Sequence, residues 1–117
     1  MRRSRKAKLA EFRRHCEYWH RRFGLTDYQL IVEHRERQSD DTAMARVHIS
    51  VDSRIATVKW FDHPEPVLSL RNLAKHEMLH VLLSDFVFTA ASLRSNEHDD
   101  VIREEHKVIA RLMDVIQ

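Results

Sequence analysis

The chain opens with a helical stripe of apolar positions. Apolar and aromatic residues recur at steps of three and four, at Leu9, Phe12, Cys16, Trp19 and Phe23. Because such steps place side chains on one face of a helix, they predict a first helix over residues 6–23. Gly24 follows directly, where a left-handed C-terminal cap is expected.

Three shorter segments have the pattern of β-strands. Tyr28–His34 is rich in β-branched and aromatic residues, and Met44–Val51 alternates between apolar and polar positions. Ile55–Phe61 is predicted as a third strand that pairs with the second through the turn at residues 52–54. The polar segment 38–42 is expected to be the loop between the first two strands.

The last part of the chain predicts two helices. The two prolines of the chain, in segment 64–66, break the strand pattern, and Ser69 can serve as the N-cap of a second helix that ends near Phe86. A third helix is expected to start near Ser95 or Asn96 and to continue to the end. Acidic residues favour the first turn of a helix. Three are expected there: Glu97, Asp99 and Asp100.

This order of elements is typical of an α+β domain with a small, largely antiparallel sheet. The chain has 117 residues, of which 43% are hydrophobic, so it fits one compact domain with its own core. We therefore predict a single domain over residues 1–117, in which residues 1–8 form a basic arm that can be flexible.

The composition limits the kinds of site that the chain can hold. Cys16 is the only cysteine, so an internal disulfide and cysteine-based zinc sites are excluded. Any metal must therefore be held by His, Asp or Glu. No apolar run approaches the roughly 20 residues that a membrane span needs, and the basic start lacks the apolar core of a secretory signal. A reducing, cytoplasmic setting is expected.

Positive charge is concentrated at the start of the chain. Residues 1–22 contain nine Lys or Arg and two Glu, a balance of +7, whereas the net charge of the whole chain is +2. A basic N-terminal helix of this kind can attract the phosphates of a nucleic acid or of a membrane surface. The alternative is an ordinary solvated helix that begins with charged residues.

The second predicted helix carries an HExxH motif. His76 and His80 are four residues apart and therefore project from the same helical face, where both imidazoles can reach one tetrahedral metal ion. Glu77 is close enough to accept a proton from a metal-bound water. The surrounding positions are largely apolar, so these polar groups lie on a mostly buried helix. Burial of such groups is costly without partners, and a metal would provide one.

A catalytic zinc site generally needs a third protein ligand. Glu105 lies in the middle of the apolar stripe of the third helix, and we predict that it is this ligand; Glu104 is rotated toward the edge of the stripe. The alternative role for Glu105 is a buried ion pair, for example with an Arg of the first helix. Glu97 is the main rival ligand. Its position in the first turn of the third helix also has an explanation without a metal, because acidic residues are favourable at the start of a helix. His98 and His106 are weaker rivals, and the latter would give a three-histidine site.

The motif HEMLH at 76–80 and, less specifically, EEHKVIARL at 104–112 resemble the zincin metallopeptidases. Among them, the chain is similar to the gluzincins and to small zincin-like proteins encoded by phages and prophages, which would act in a host cell. The resemblance implies Zn²⁺, attack of an activated water on a peptide carbonyl with Glu77 as general base, and a substrate strand along the sheet edge at Val47–Val51 or its neighbour. Lys75 departs from the family pattern and is expected to point to solvent.

Sites of this kind also need a donor that stabilises the oxyanion. Four residues are candidates: Tyr28, His98, Arg103 and His106.

Three functions are therefore carried forward. The first is a zinc-dependent metallopeptidase that acts on a peptide or protein substrate. The second is a nucleic-acid-associated protein that keeps the zincin fold and docks through its basic helix. The third is a structural or regulatory protein with an inert or specialised metal site.

Overall fold

The computed structural model describes residues 3–38, 42–64, 66–93 and 98–116, without the side chains of Leu93 and His98. Its elements are α1 (Arg5–Arg22), β1 (Gln29–His34), β2 (Ala45–Ser50), β3 (Ile55–Trp60), α2 (Leu70–Leu93) and α3 (His98–Val115). The α+β class predicted from the sequence is confirmed. Among the described residues, no helix is both long and apolar enough to cross a bilayer.

Helix α1 is capped at both ends by its own sequence. The Ser4 hydroxyl accepts a hydrogen bond from the Ala7 amide, so the helix begins at Arg5. Residues 5–8 therefore belong to the helix. At the other end, Gly24 adopts φ +70° and its amide bonds to the Arg21 carbonyl, which is the expected left-handed cap.

The sheet is mixed, and the prediction of a largely antiparallel sheet is wrong for one of its two pairings. The strand order is β1-β3-β2: β2 and β3 form the predicted antiparallel hairpin, whereas β1 and β3 run parallel. Parallel neighbours need a crossover connection. Here the connection from β1 to β3 contains β2. The chain first forms β2 at the far edge of the sheet and then forms β3 between β1 and β2.

The helices cover one face of the sheet. Helix α1 contacts β1, α2 contacts α1 and β2, and α3 packs against α2. The core between them is built largely from the apolar side of α1, the inner side of β3 and the buried side of α2: Phe12, Cys16, Trp19, Ala56, Val58, Trp60, Leu73, Ala74, Met78 and Val81. This arrangement makes α2 the central helix of the domain.

The ends of α2 and α3 differ in part from the prediction. Ser69 is the N-cap of α2, because its hydroxyl accepts a hydrogen bond from the Asn72 amide. The helix continues past Phe86 to Leu93, since no Gly or Pro interrupts it. The predicted start of α3 at Ser95 or Asn96 lies outside the described residues.

Lys75 links the beginning of α2 to the end of α3, which corrects the expectation that it points to solvent. It is only 7% exposed. Its ammonium donates hydrogen bonds to the carbonyls of Met113 (3.2 Å) and Ile116 (2.8 Å). The Met113 carbonyl lies in the last turn of α3 and the Ile116 carbonyl directly follows the helix, where unpaired acceptors and the negative end of the helix dipole favour a cation. Lys75 of α2 therefore caps the C-terminal end of α3.

We predict that Lys75→Met lowers the free energy of unfolding by about 1–3 kcal/mol, because it removes charge-assisted hydrogen bonds but keeps the length of the aliphatic stem. Urea denaturation followed by circular dichroism measures this change. Lys107→Met is the control, since Lys107 is exposed and, among the described residues, pairs only with Glu104 on its own helix, at 3.0 Å. Equal stability of both variants would show that the contacts with α3 contribute nothing.

A second link joins the turn between β2 and β3 to the middle of α2. Arg54 adopts φ 55° in this turn, and its guanidinium lies 4.0 Å from the centre of the Tyr28 ring. It forms ion pairs with Asp27 and, at 2.7 Å, with Asp85 of α2. Hydrogen bonds from Arg54 hold the pKa of each of these carboxyl groups below its ordinary value.

A lowered carboxyl pKa stabilises the fold above the unfolded-state value of about 3.9, and this contribution disappears as pH falls through the folded-state pKa. We therefore predict that Arg54→Gln lowers the midpoint of thermal unfolding at pH 7 and that the difference from the parent shrinks at pH 3. The exposed Arg71 gives the matched control Arg71→Gln. A difference that is as large at pH 3 as at pH 7 would contradict the role of the two carboxylates.

Candidate metal centre

Helix α2 presents the three HExxH residues together, as their spacing predicts. The ligand atoms of His76, Glu77 and His80 all lie within 4.8 Å of one another. The side chains are 30%, 6% and 14% exposed, respectively. Nδ1 of His76 lies 3.5 Å from a carboxylate oxygen of Glu77. The group is therefore partly buried but still reaches the surface.

Helix α3 brings Glu105 to the same place. Its Oε2 lies 3.1 Å from Nδ1 of His80, and its side chain is only 7% exposed. The contact made by this buried acid is thus with a histidine of the motif and not with an Arg of α1. Glu104, by contrast, is exposed and pairs with Lys107. The predicted distinction between the two neighbouring glutamates agrees with their positions in the structure.

The surroundings of His80 favour its protonated form when no metal is bound. Burial by itself lowers the pKa of His80, but the hydrogen bond to Glu105 and the negative charges of Glu105 and Glu77 outweigh it and raise that pKa. The same two carboxylates would favour a bound cation. A metal ion would therefore replace a proton in an environment that already attracts positive charge.

His106 is a third histidine at this place. Its ring centre lies 5.0 Å from that of His80 and 6.5 Å from that of His76, while the His76 and His80 ring centres are 5.0 Å apart. Its Nδ1 lies 2.9 Å from the Ile102 carbonyl oxygen. A carbonyl oxygen can only accept a hydrogen bond, so Nδ1 of His106 carries the hydrogen and donates it. In the neutral ring Nε2 is then the nitrogen with a free lone pair.

These distances allow a test of whether a metal fits. With zinc–nitrogen bonds of about 2.0–2.1 Å and a ring centre ~1.2 Å beyond the ligand nitrogen, two imidazoles on one tetrahedral ion have their centres about 5 Å apart. The His76–His80 and His80–His106 separations match this value, whereas the 6.5 Å between the ring centres of His76 and His106 exceeds it. Imidazole and carboxylate donors together suit zinc and other first-row metals. The residues therefore fit a divalent ion with His76 and His80 as ligands, and the distances favour Glu105 over His106 as the third.

The site opens into a cavity of about 410 Å³ between α2, α3 and the edge strand β2. All of the motif residues line it, together with Ser84, Glu105 and His106. The strand contributes the remaining wall with Ala45, Arg46, Val47 and Ile49. A ligand in this cavity would thus contact the polar cluster on one side and the sheet edge on the other.

The structure separates the four candidates for an oxyanion-stabilising residue. His106 lines the cavity. Tyr28 is buried beside α2, where its hydroxyl lies 3.0 Å from the Ser84 hydroxyl and accepts a hydrogen bond from Arg54. Arg103 is exposed and pairs with Asp100 at 3.1 Å. The side chain of His98 lies outside the described part of the chain. Glu97, the rival third ligand, lies outside it as well.

Some residues around the site were not predicted from the sequence. Ser84 lies one helical turn beyond His80 and donates a hydrogen bond to the Val81 carbonyl. Its spacing of four from His80 was a usable signal, because it continues the face of the motif. Arg46 also borders the cavity, and no sequence signal indicates that it reaches this place.

The basic start of the chain makes contacts within the domain. Arg3 pairs with Glu11, Arg5 lies 3.6 Å from Glu36, and Lys8 lies 2.8 Å from Asp62. These acids offset part of the positive charge that the sequence concentrates in α1. The contacts do not test nucleic-acid binding, which stays a prediction.

No protein-family model matches this chain, and no match was found among curated proteins or among solved structures. The resemblance to zincins therefore rests on the residues of the chain itself.

We predict that the purified protein binds one zinc ion per chain and that His80→Asn weakens binding at least about 100-fold, more than loss of an outer contact would. Competition with a chromogenic chelator measures the affinity. Glu105→Gln and His106→Asn identify the third ligand, because its loss should weaken binding to a similar extent. His48→Asn is the control, since His48 is exposed on β2 and is not among the residues that line the cavity. Unchanged affinity in His80→Asn would exclude the site.

Proposed function

We propose that this chain is a zinc-dependent metallopeptidase of the zincin type. The observation that supports the proposal is the convergence of His76, Glu77 and His80 with Glu105 in one open cavity beside an edge strand. His76, His80 and Glu105 would hold the ion. When bound, zinc supplies Lewis acidity, which lowers the pKa of a water molecule and polarises a carbonyl oxygen.

Glu77 would act as the general base. Its side chain is 6% exposed and lines the cavity, so it faces the reacting groups while bulk water is largely kept from it. A carboxylate there can take a proton from the attacking water and deliver it to the leaving amine. His106, on the same cavity, is the residue that we assign to hydrogen bonding with the developing oxyanion.

The edge strand would bind and orient the substrate. The outer side of β2 pairs with no described strand, and an extended peptide can use such an edge by forming main-chain hydrogen bonds. Because the inner side chains of β2 line the same cavity as the motif, a peptide paired with this strand would pass directly by Glu77. This shared wall favours a peptide substrate over a small molecule.

We predict that Glu77→Gln retains zinc but lowers the rate of peptide hydrolysis by about 10²–10⁴, the usual contribution of a general base. A library of synthetic peptides incubated with the zinc-loaded protein and analysed by mass spectrometry detects the cleavage.

The matched control is Glu104→Gln, because Glu104 is exposed on α3 and pairs only with Lys107 among its described contacts. This variant should retain full activity. Loss of cleavage in Glu77→Gln but not in Glu104→Gln then excludes a contaminating protease as the source of cleavage. If Glu77→Gln is as active as the parent, Glu77 has no part in the mechanism.

The two other functions are ranked lower. An inert metal site would need a closed set of ligands, whereas this cluster borders an open cavity. Nucleic-acid association would use the basic start of α1, where acidic neighbours offset part of the charge. No specific observation favours either of them over hydrolysis.

A further inference from the structure

The basic residues of α1 fall into two groups that differ in their contacts. Near the start of the chain, Arg3, Arg5 and Lys8 each pair with an acid of the same domain. In the middle of the helix, the guanidinium of Arg13 donates a hydrogen bond to the Val32 carbonyl of β1 at 3.0 Å. These four side chains are therefore engaged within the domain.

The second half of α1 carries three arginines without such partners. Arg14, Arg21 and Arg22 are exposed, and none of them forms an ion pair with a described residue. Glu17, the one acid of this stretch, is also exposed and has no ion-pair partner in the described part of the chain. Three positive charges and one negative charge leave an excess of positive charge that the domain does not compensate. Such a surface attracts an external anion.

The spacing along the helix places these arginines around an aromatic residue. Tyr18 lies four residues after Arg14, and Arg21 and Arg22 lie three and four residues after Tyr18. Steps of three and four keep side chains on one face of a helix. The apolar stripe of α1 is buried on the opposite side. We call these four residues the outer patch of α1; it extends over eight residue steps, about 12 Å along the helix.

Tyr18 gives the outer patch an aromatic surface between its charges. Its side chain is 44% exposed, although it is a large ring. The centre of this ring lies 4.9 Å from that of Trp19, at an interplanar angle of 80°. Because Trp19 is fully buried in the core, this contact holds the Tyr18 ring against a rigid neighbour. The ring is therefore a fixed surface on which a flat group can stack.

Phosphates and flat bases are the groups that match such a patch. Guanidinium groups bind phosphate oxygens through charge-assisted hydrogen bonds, and an exposed aromatic ring stacks on the face of a base. In a duplex the base faces are covered by their neighbours in the stack, whereas in a single strand they are accessible. The combination of arginines with an exposed tyrosine therefore favours a single strand over a duplex, and over a lipid surface, which offers phosphates without bases.

The outer patch is separate from the candidate metal centre. None of its residues is among those that line the cavity with the HExxH motif. A ligand bound at the patch would therefore not occupy the place of a peptide substrate.

We propose that the outer patch of α1 binds single-stranded nucleic acid, with Arg14, Arg21 and Arg22 on phosphates and Tyr18 stacked on a base. Phosphate contacts and stacking do not depend on the identity of the base, so the binding tolerates different sequences. This contact lies in the second half of α1 and not at the start of the chain, where the basic residues have acidic partners. It goes beyond the proposed peptidase function and does not depend on it.

The test measures the fluorescence anisotropy of a labelled oligothymidylate with the full chain over a range of salt concentrations. The logarithm of the affinity should fall with the logarithm of the salt concentration with a slope of about −2, the value for three phosphate contacts on a single strand. Tyr18→Ala should weaken binding about 5- to 100-fold through loss of one stack, whereas Tyr18→Phe keeps the ring and should bind as the parent does. Binding to a duplex should not respond to Tyr18→Ala.

Two triple variants with the same change in charge locate the site. The first carries Gln at all three arginines of the outer patch and should lose the binding together with its salt dependence. The second combines Arg3→Gln, Arg5→Gln and Lys8→Gln and should keep most of the affinity, because these side chains are engaged with acids of the domain. Circular dichroism and unfolding midpoints check that both variants are folded.

Three results would overturn the proposal. The first is absence of binding to the oligothymidylate at low salt, and the second is an equal loss in the two triple variants, which would assign the binding to net charge. The third is binding to vesicles that contain phosphatidylserine without binding to the oligothymidylate, which would assign the patch to an anionic membrane surface. Because none of these measurements uses a peptide, their outcome is independent of the proposed peptidase function.

Discussion

Polar groups on α2 have to be satisfied inside the domain, and this constraint organises the rest of the structure. The helix is covered by α1, by the sheet and by α3, yet it carries Lys75, Glu77 and Ser84 at buried positions. A buried polar group without a partner costs several kcal/mol. Neighbouring elements supply partners for two of them, because the end of α3 accepts hydrogen bonds from Lys75 and the segment before β1 brings Tyr28 to Ser84. Glu77 lies 3.5 Å from Nδ1 of His76 on its own helix, and Glu105 of α3 meets His80 nearby.

These contacts also fix the geometry of the candidate site. Helices α2 and α3 lie antiparallel, with Lys75 at the end of α3 and His80 beside Glu105 near its middle. Two polar contacts between α2 and the C-terminal segment, about one and a half turns apart along α2, set how far one helix can slide along the other. The Lys75 cap is thus a positional constraint on Glu105, although it does not touch the metal ligands. The departure of Lys75 from the zincin pattern has a structural reason in this chain.

The sequence predicted the elements of the fold better than their arrangement. Helical spacing identified the buried face of α1, and a single Gly and a single Ser marked the end of α1 and the start of α2. Patterns of this kind are local, and they state which face is buried. They do not state which strand lies beside which, so β1 was not predicted to run parallel to β3. The helix α2 also continues past Phe86, because residues 87–92 contain no Gly or Pro and extend it at half-buried or exposed positions.

The same limit applies to the site. The spacing of His76 and His80 sufficed to bring them together, since both lie on one helix. Glu105 could be singled out because an acid at the centre of an apolar stripe needs a partner. The identity of that partner could not be predicted, because it depends on how α3 is placed against α2.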